Sequence, residues 1–408
     1  MTDLEPIPLM DLVTPHREME EELLGVVREA LQSARFIGGP QVEGFEEEFA
    51  RYCEAPHCVG LSNGTDALRL ALIAAGVGPG DAVITVPFTF IATVEAILQA
   101  GAAVEWVDID LPTFNMCPAR LEEFLKEQCR RQDDGRLVSL RSGRAVKAVV
   151  PVHIYGQPAD MDAILDLASS HGLAVIEDAA QAQGARYFSK QHDSWKRAGS
   201  MGLAASFSFY PGKNLGACGE AGALTTQDAG LARKARMLRD HGQAQKHLHE
   251  MEGYNARLDA IQAGFLRIKL RRLEEWNGQR RRLAKHYNQL LQGIDQVVTP
   301  FEPCWAQSVH HLYVIRASRR DELARRLAEG SVSTGLHYPL PLHLQKACAH
   351  LGWKEGDFPA SEQAARQVLS LPLYPGMLPE QQERVAGLVR EFAASPAVLT
   401  GIGERLQA

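Results

Sequence analysis

The chain lacks the residues that a metal-centred or disulfide-stapled protein needs. Its seven cysteines form no CxxC pair, and an odd count suits reduced thiols. The nearest approach to a metal cluster is "CEAPHC", Cys53 to Cys58 with His57. It has no second pair, so it reads as packing or loop and no metal is expected. Basic residues are not in excess: 43 Lys and Arg against 50 Asp and Glu leave a formal charge of -7. Nucleic acid is therefore not an expected partner. No run approaches the ~20 apolar residues that cross a bilayer, so no membrane partner is expected either. The opening "MTDLEPIPLMDL" carries acids and a proline where a secretory leader has cations and an apolar core. The expected location is the cytoplasm. No internal repeat of fixed period is visible.

What is present suits a globular enzyme. Hydrophobic residues at 45% and charged residues at 23% are enough for a soluble chain with its own core, and the length fits two or three units. Between about residues 57 and 226, short β-rich runs recur: "HCVGL", "AVITV", "AVEWV", "VKAVVPV", "LAVIED" and "AASFSF". Helical patterns such as "TDALRLALIAAG" and "DMDAILDLASSHG" lie between several of them. The alternation predicts an α/β fold with a mainly parallel sheet covered on both faces. Upstream, "PHREMEEELLGVVREALQS" predicts a helix opening at Pro15. Downstream, residues 260–291 predict one long helix broken only by Gly264 and Gly278. A strand ("HHLYVIR"), a helix ("RDELARRLAEG") and two closing helices follow. These form a smaller C-terminal α+β unit, and the expected division is 1–257 and 258–408. Polar "EQCRRQDDGRLVSLRSGR" reads as a solvated loop, and basic "RIKLRRLEEWNGQRRRLAKH" as a solvent-facing helix stripe.

Three of the predicted strands end in residues with chemical use, and ligands of such sheets sit at the carboxyl ends of the strands. "VGLSNGTDALRLAL" ends a strand, then starts a helix at Gly64 and Thr65. A glycine allows close backbone approach, and a hydroxyl beside free helix N–H groups makes a phosphate seat; the same residues also make an ordinary N-cap. "LAVIEDAAQAQG" ends in Glu177-Asp178. Asp178 serves either as a cap or ion-pair partner, or as an anion beneath a heteroaromatic nitrogen. "SFSFYPGKNLGACGEAGALTT" places Lys213 in a tight turn. That lysine is either a structural ion-pair residue or an amine desolvated enough to attack a carbonyl. Together the three match pyridoxal 5'-phosphate (PLP), which needs a Schiff-base lysine and an acid at its ring nitrogen.

From about residue 8 to its end the chain resembles the DegT/DnrJ/EryC/StrS family of PLP-dependent sugar aminotransferases. The motifs are "SNGTDAL", "VPFTFIATVEAI", "VIEDAAQAQGA", "SFSFYPGKNLGACGEAGA", "GYNARLDAIQAGFL" and "GLHYPLPLHLQ", in the family order. The resemblance implies the fold type I architecture of aspartate aminotransferase: a large domain with a mostly parallel, seven-stranded sheet, and a smaller C-terminal α+β domain. It implies Lys213 as the Schiff-base lysine, Asp178 at the pyridinium nitrogen and Gln181 at the ring hydroxyl. Phe90 corresponds to the aromatic on the ring face, a core phenylalanine being the plain alternative. Gly64, Thr65 and Ser208 correspond to the phosphate ligands, and Asn255 to a phosphate ligand from the neighbouring subunit of a homodimer. The wording "FYPGKNLGA" is similar to members that aminate 3-keto sugars on a nucleotide carrier. There Tyr210, His337, Tyr338 and a neighbouring-subunit Lys246 contact the substrate; strand packing and an exposed loop charge are the plain alternatives. L-Glutamate is the implied amino donor. Two departures from the family are the longer stretches 129–147 and "YFSKQHDSWKRAGSMG"; Cys218 is given no role. The competing readings are amination of a 4-keto sugar or other cyclic ketone, and a non-catalytic PLP-binding regulator.

Overall fold

The computed structural model describes residues 5–394. Seven strands form the backbone of the central sheet: β1 (His57–Leu61), β2 (Asp81–Thr85), β3 (Ala103–Trp106), β4 (Ala145–Val149), β5 (Ala174–Asp178), β6 (Ala204–Ser208) and β7 (Gly222–Thr226). Their order is β1-β7-β6-β5-β4-β2-β3. All run parallel except β7, which is antiparallel to both its neighbours. The period of two sorts their side chains onto two faces. Ala82 and Ile84 join one apolar cluster with Val149 and Val175, while Val83 joins another with Ala148 and Ile176. Both faces are therefore buried, which is why the strands read as continuous apolar runs.

Strand β7 is not among the six β-rich runs read from the sequence, although the family resemblance implies a seven-stranded sheet. Its position has a steric reason. A Cβ on Gly222 would lie 2.2 Å from the Asn63 carbonyl oxygen, so only glycine lets the turn after β1 cross the start of β7. The polar stretch expected to be a loop is instead a hairpin, Cys129–Arg131 with Leu137–Ser139, added antiparallel to β4. The long "YFSKQHDSWKRAGSMG" segment likewise folds as a hairpin, Arg186–Ser189 with Ser194–Arg197, and pairs with Ala306–Gln307.

The N-terminal helix is divided at Met19 into Val13–Glu18 and Glu20–Ser33. The long downstream helix breaks at Arg271-Arg272, not at its glycines, giving Ala260–Leu270 and Leu273–Leu290. Gly264 is there for packing: a Cβ would come 2.5 Å from the Val26 side chain. The basic stripe is only partly solvent-facing. Arg271 and Arg272 pair with Glu22 at the surface, but Lys269 is 3% and Arg280 6% exposed. Arg280 donates to the carbonyls of His310, His311 and Leu373. Further on, Val297–Val298, Tyr313–Ala317 and Val368–Leu371 form a small antiparallel sheet. Helices Arg320–Glu329 and Pro379–Ala394 close its core around Tyr313, Leu369 and Phe392. No helix among the described residues is long and apolar enough to cross a membrane.

Candidate active site

Three of the parallel strands, β1, β6 and β5, deliver the chemistry at their carboxyl ends. After β1 the chain enters helix Gly64–Ala74 through an N-cap. Asn63 accepts the Asp66 N–H at 2.8 Å, the Ser62 hydroxyl donates to the Asp66 carboxylate, and Arg69 pairs with that carboxylate at 2.5 Å. The cap is thus made by Asn63 and Asp66. The N–H groups of Gly64 and Thr65 have no partner inside the helix. Gly64 lies against the end of β6: an added Cβ would be 2.6 Å from Ser208 Cβ and 3.0 Å from its Cα. Gly64, Thr65 and Ser208 therefore line one cradle of the kind that holds a phosphate.

At the end of β5, neighbouring acids face opposite ways. Glu177 turns into the sheet support. It meets His153 Nε2 at 2.9 Å and accepts the N–H groups of Gly199, Met201 and Gly202 at 2.7–2.8 Å. Asp178 turns toward the site, 8% exposed. The Thr93 hydroxyl donates to Oδ2 at 2.7 Å and the Ala180 N–H to Oδ1 at 3.2 Å. Thr89 reaches Thr93 at 3.0 Å and completes a short hydroxyl chain. Burial pushes the Asp178 carboxyl above its ordinary value, against the pull of Thr93, Ala180 and Lys213. A carboxylate in that state gains strongly from a cation placed beside it.

Lys213 closes a turn in which its N–H donates to the Tyr210 carbonyl at 2.8 Å. The loop returns past Gly216, where a Cβ would strike the Pro211 carbonyl oxygen at 2.3 Å, and Ala217 N–H bonds Phe209 O at 2.7 Å. Lys213 is half-buried. Burial lowers its amine to about 8, with Asp178 pulling the other way. Among the described residues no carboxylate forms an ion pair with it. Burial together with the Lys213 charge holds His337 below, and His311 well below, the usual imidazole value.

A second set of contacts surrounds this centre. Gln181 accepts the Tyr155 N–H at 2.6 Å and donates to the Tyr338 hydroxyl at 3.2 Å. The Tyr155 hydroxyl donates to the His337 carbonyl, and His337 Nδ1 meets Ser370 Oγ at 2.8 Å. Phe90 is 54% exposed with its ring 5.9 Å from that of Tyr338, so it is not a core phenylalanine. Tyr210 is 57% exposed beside Ser208. The structure thus links Gly64 with Ser208 and Tyr210, Asp178 with Lys213 and His337, and Gln181 and Phe90 with Tyr338, and Thr65 follows Gly64 at the helix start. It does not bring two expected residues into contact with them. Lys246 is exposed in the hairpin Gln243–Gln245 with Leu248–His249. Asn255 is exposed, bridging Asp240 through its backbone; the next carbonyl, of Ala256, accepts the Ser62 N–H at 3.0 Å.

Sequence reasoning missed Thr93, Thr89, Tyr155 and His311. Thr93 stands inside the quoted "VPFTFIATVEAI", but nothing local says that its hydroxyl reaches β5. Tyr155 adopts φ 58, a left-handed conformation uncommon for a bulky residue, and no glycine or asparagine marks it.

The donor set fits PLP: a cradle of backbone N–H and hydroxyl groups for a phosphate, a buried acid that favours a neighbouring cation, and a partly desolvated amine. The mostly parallel sheet defines an α/β fold with its candidate site at the strand ends. Sequence comparison makes the class specific. The chain belongs to the DegT/DnrJ/EryC1/StrS aminotransferase family, whose model matches residues 17–390. It is 45% identical, over 95% of its length and 98% of the relative's, to a pleiotropic regulatory protein of Geobacillus stearothermophilus. It is 43% identical, over 95% and 96%, to the dTDP-3-amino-3,4,6-trideoxy-α-D-glucose transaminase of Streptomyces venezuelae. The crystal structure of S. venezuelae DesV in complex with a ketimine intermediate matches with a TM-score of 0.88 at 42% identity, covering 96% of this chain and 100% of that one.

Proposed function

We propose that the protein uses PLP to move an amino group from an amino acid, by family analogy L-glutamate, to the 3-keto position of a nucleotide-linked hexose. The observation that carries this reading is Lys213: an amine lowered to about 8 at converging strand ends, facing a buried Asp178. A purely structural lysine in that position would be drawn into an ion pair. The transaminase of S. venezuelae, similar over almost the whole chain, supports a 3-keto substrate.

The cofactor supplies an aldehyde carbon that takes the amine and a ring that accepts electrons. Lys213 would hold the cofactor through its amine, which would also move the proton at the donor's Cα. Asp178 would hold the proton on the ring nitrogen, and Thr93 fixes the orientation of its carboxylate. Gln181 serves the ring hydroxyl and Phe90 the ring face. Gly64, Thr65 and Ser208 bind the phosphate. We propose further that the unit is a cytoplasmic homodimer, divided within each chain at 257/258. Asn255 and Lys246, outside their own chain's crevice, then serve the partner's site, Asn255 at the phosphate and Lys246 at the substrate. Tyr210, His337 and Tyr338 take the sugar nucleotide from the same chain.

The test is a panel of nucleotide-linked 3-keto and 4-keto hexoses with L-glutamate, scored by specificity constant. The reading expects a 3-keto sugar to lead. A higher constant on the matched 4-keto sugar overturns the position assigned, and no amination of any member overturns the substrate class.

A further inference from the structure

Beyond the crevice, a second cluster of reactive side chains lies on the far side of the loop that carries Lys213. Cys218 is exposed. Its Sγ lies 3.4 Å from His16 Nε2, contributed by helix Val13–Glu18, and 3.6 Å from Lys269 Nζ, contributed by helix Ala260–Leu270. Lys269 is 3% exposed, and among the described residues no carboxylate pairs with it. Buried ammonium groups need a counter-charge. Its three N–H bonds have three acceptors: the Gly216 carbonyl at 2.7 Å, His16 Nε2 at 2.8 Å and Cys218 Sγ at 3.6 Å. The tautomer of His16 follows from its other nitrogen. Nδ1 meets the Leu12 carbonyl, which can only accept, so Nδ1 carries the proton and Nε2 is free to receive one. Of the three acceptors, only the sulfur can carry the negative charge that the ammonium needs.

We infer that Cys218 is held as a thiolate by Lys269, which His16 positions, and is a modification site for small disulfides and soft electrophiles. In the disulfide case the thiolate attacks one sulfur of the reagent. A new S–S bond forms at Cys218, the reagent's S–S bond breaks, and its other half leaves as a thiolate. No further oxidant is required, and excess thiol reverses the step. Burial alone would push the Cys218 thiol up, but its polar neighbours outweigh it and bring it below the usual value. Burial pulls Lys269 down, against the pull of the Cys218 thiolate.

The holoprotein is treated with limiting iodoacetamide across a pH series, and each cysteine is followed by peptide mass spectrometry. Cys304, also exposed, is the internal reference. Near neutral pH Cys218 is expected to react at least about tenfold faster than Cys304. Lys269→Met is expected to remove most of that advantage and move the midpoint of the rate to higher pH. Should it fail to fold, His16→Gln tests the same support. With glutathione disulfide, Cys218 is expected to form the first mixed disulfide, released by dithiothreitol. Equal rates and equal pH dependence at Cys218 and Cys304 overturn the inference, as does a mixed disulfide on Cys304 with none on Cys218.

Discussion

If Lys213 is the nucleophilic amine, its titration in the apoprotein is the property most exposed to test. Burial holds it at about 8 against an ordinary 10.5. At about pH 7.5, roughly a quarter of such amines are unprotonated, against about a thousandth of an ordinary lysine, a difference of about 200-fold. Competitive labelling with trace acetic anhydride reads this directly. Acetylation of the Lys213 peptide is compared with N-α-acetyl-lysine in the same tube over a pH series. The midpoint for Lys213 is expected near about 8. The sign of the Asp178 effect is also fixed. Asp178 favours the charged lysine, so Asp178→Asn is expected to move the midpoint lower still. A wild-type midpoint above about 10 would refute the argument that burial activates this lysine. An upward shift in Asp178→Asn would refute the assigned interaction.

Gly64→Ala is expected to weaken both fold and cofactor binding, because its Cβ would press on Ser208 at 2.6 Å. Overpacking of this kind destabilises by about 1–3 kcal/mol, read by chemical denaturation, together with a rise of about tenfold or more in the PLP dissociation constant. Unchanged binding would remove Gly64 from the phosphate cradle. For Glu177, burial opposes ionisation, but His153 and the N–H groups of Gly202 and Gly199 outweigh it and hold the carboxyl below its ordinary value. The folded state then binds fewer protons than the unfolded one. The stabilisation is present above the ordinary carboxyl value and is lost as pH falls through the folded value. Glu177→Gln is expected to lower stability at neutral pH by about 3 kcal/mol and to flatten that acid limb; an unchanged acid limb counts against it. Mixing inactive Lys213→Ala with a crippled Asn255 variant is expected to restore part of the activity through subunit exchange, since one site of each heterodimer then carries neither lesion. No recovery after verified exchange places both residues in the same chain's site.

The six parallel strands were legible because strands buried on both faces must be continuous apolar runs, and each of these is bounded by helix or turn signals. Strand β7 was not, because its start is a glycine required by Asn63 rather than by strand propensity. The two hairpins hid for a different reason: lying beyond the sheet's buried body, they are polar enough to look like loops. The helix break at Arg271-Arg272 carries no glycine or proline, whereas Gly264 marks the approach of Val26 and interrupts nothing. In the site, strand-end position made Asp178, Lys213 and Gly64 visible. Thr93, Tyr155 and His311 were not, because their roles depend on which elements the fold lays beside them. Lys269 looked like one charge among many in a basic stripe; only the packed structure shows that it is buried with no carboxylate paired to it among the described residues.

The central claim is that Lys213 carries transamination. The most direct test is single-turnover release of 2-oxoglutarate when the PLP-loaded protein meets L-glutamate with no acceptor present. Wild type is expected to release about one equivalent per site, and Lys213→Ala, folded and supplied with the same cofactor, almost none. Release from Lys213→Ala at a rate near wild type would contradict the account.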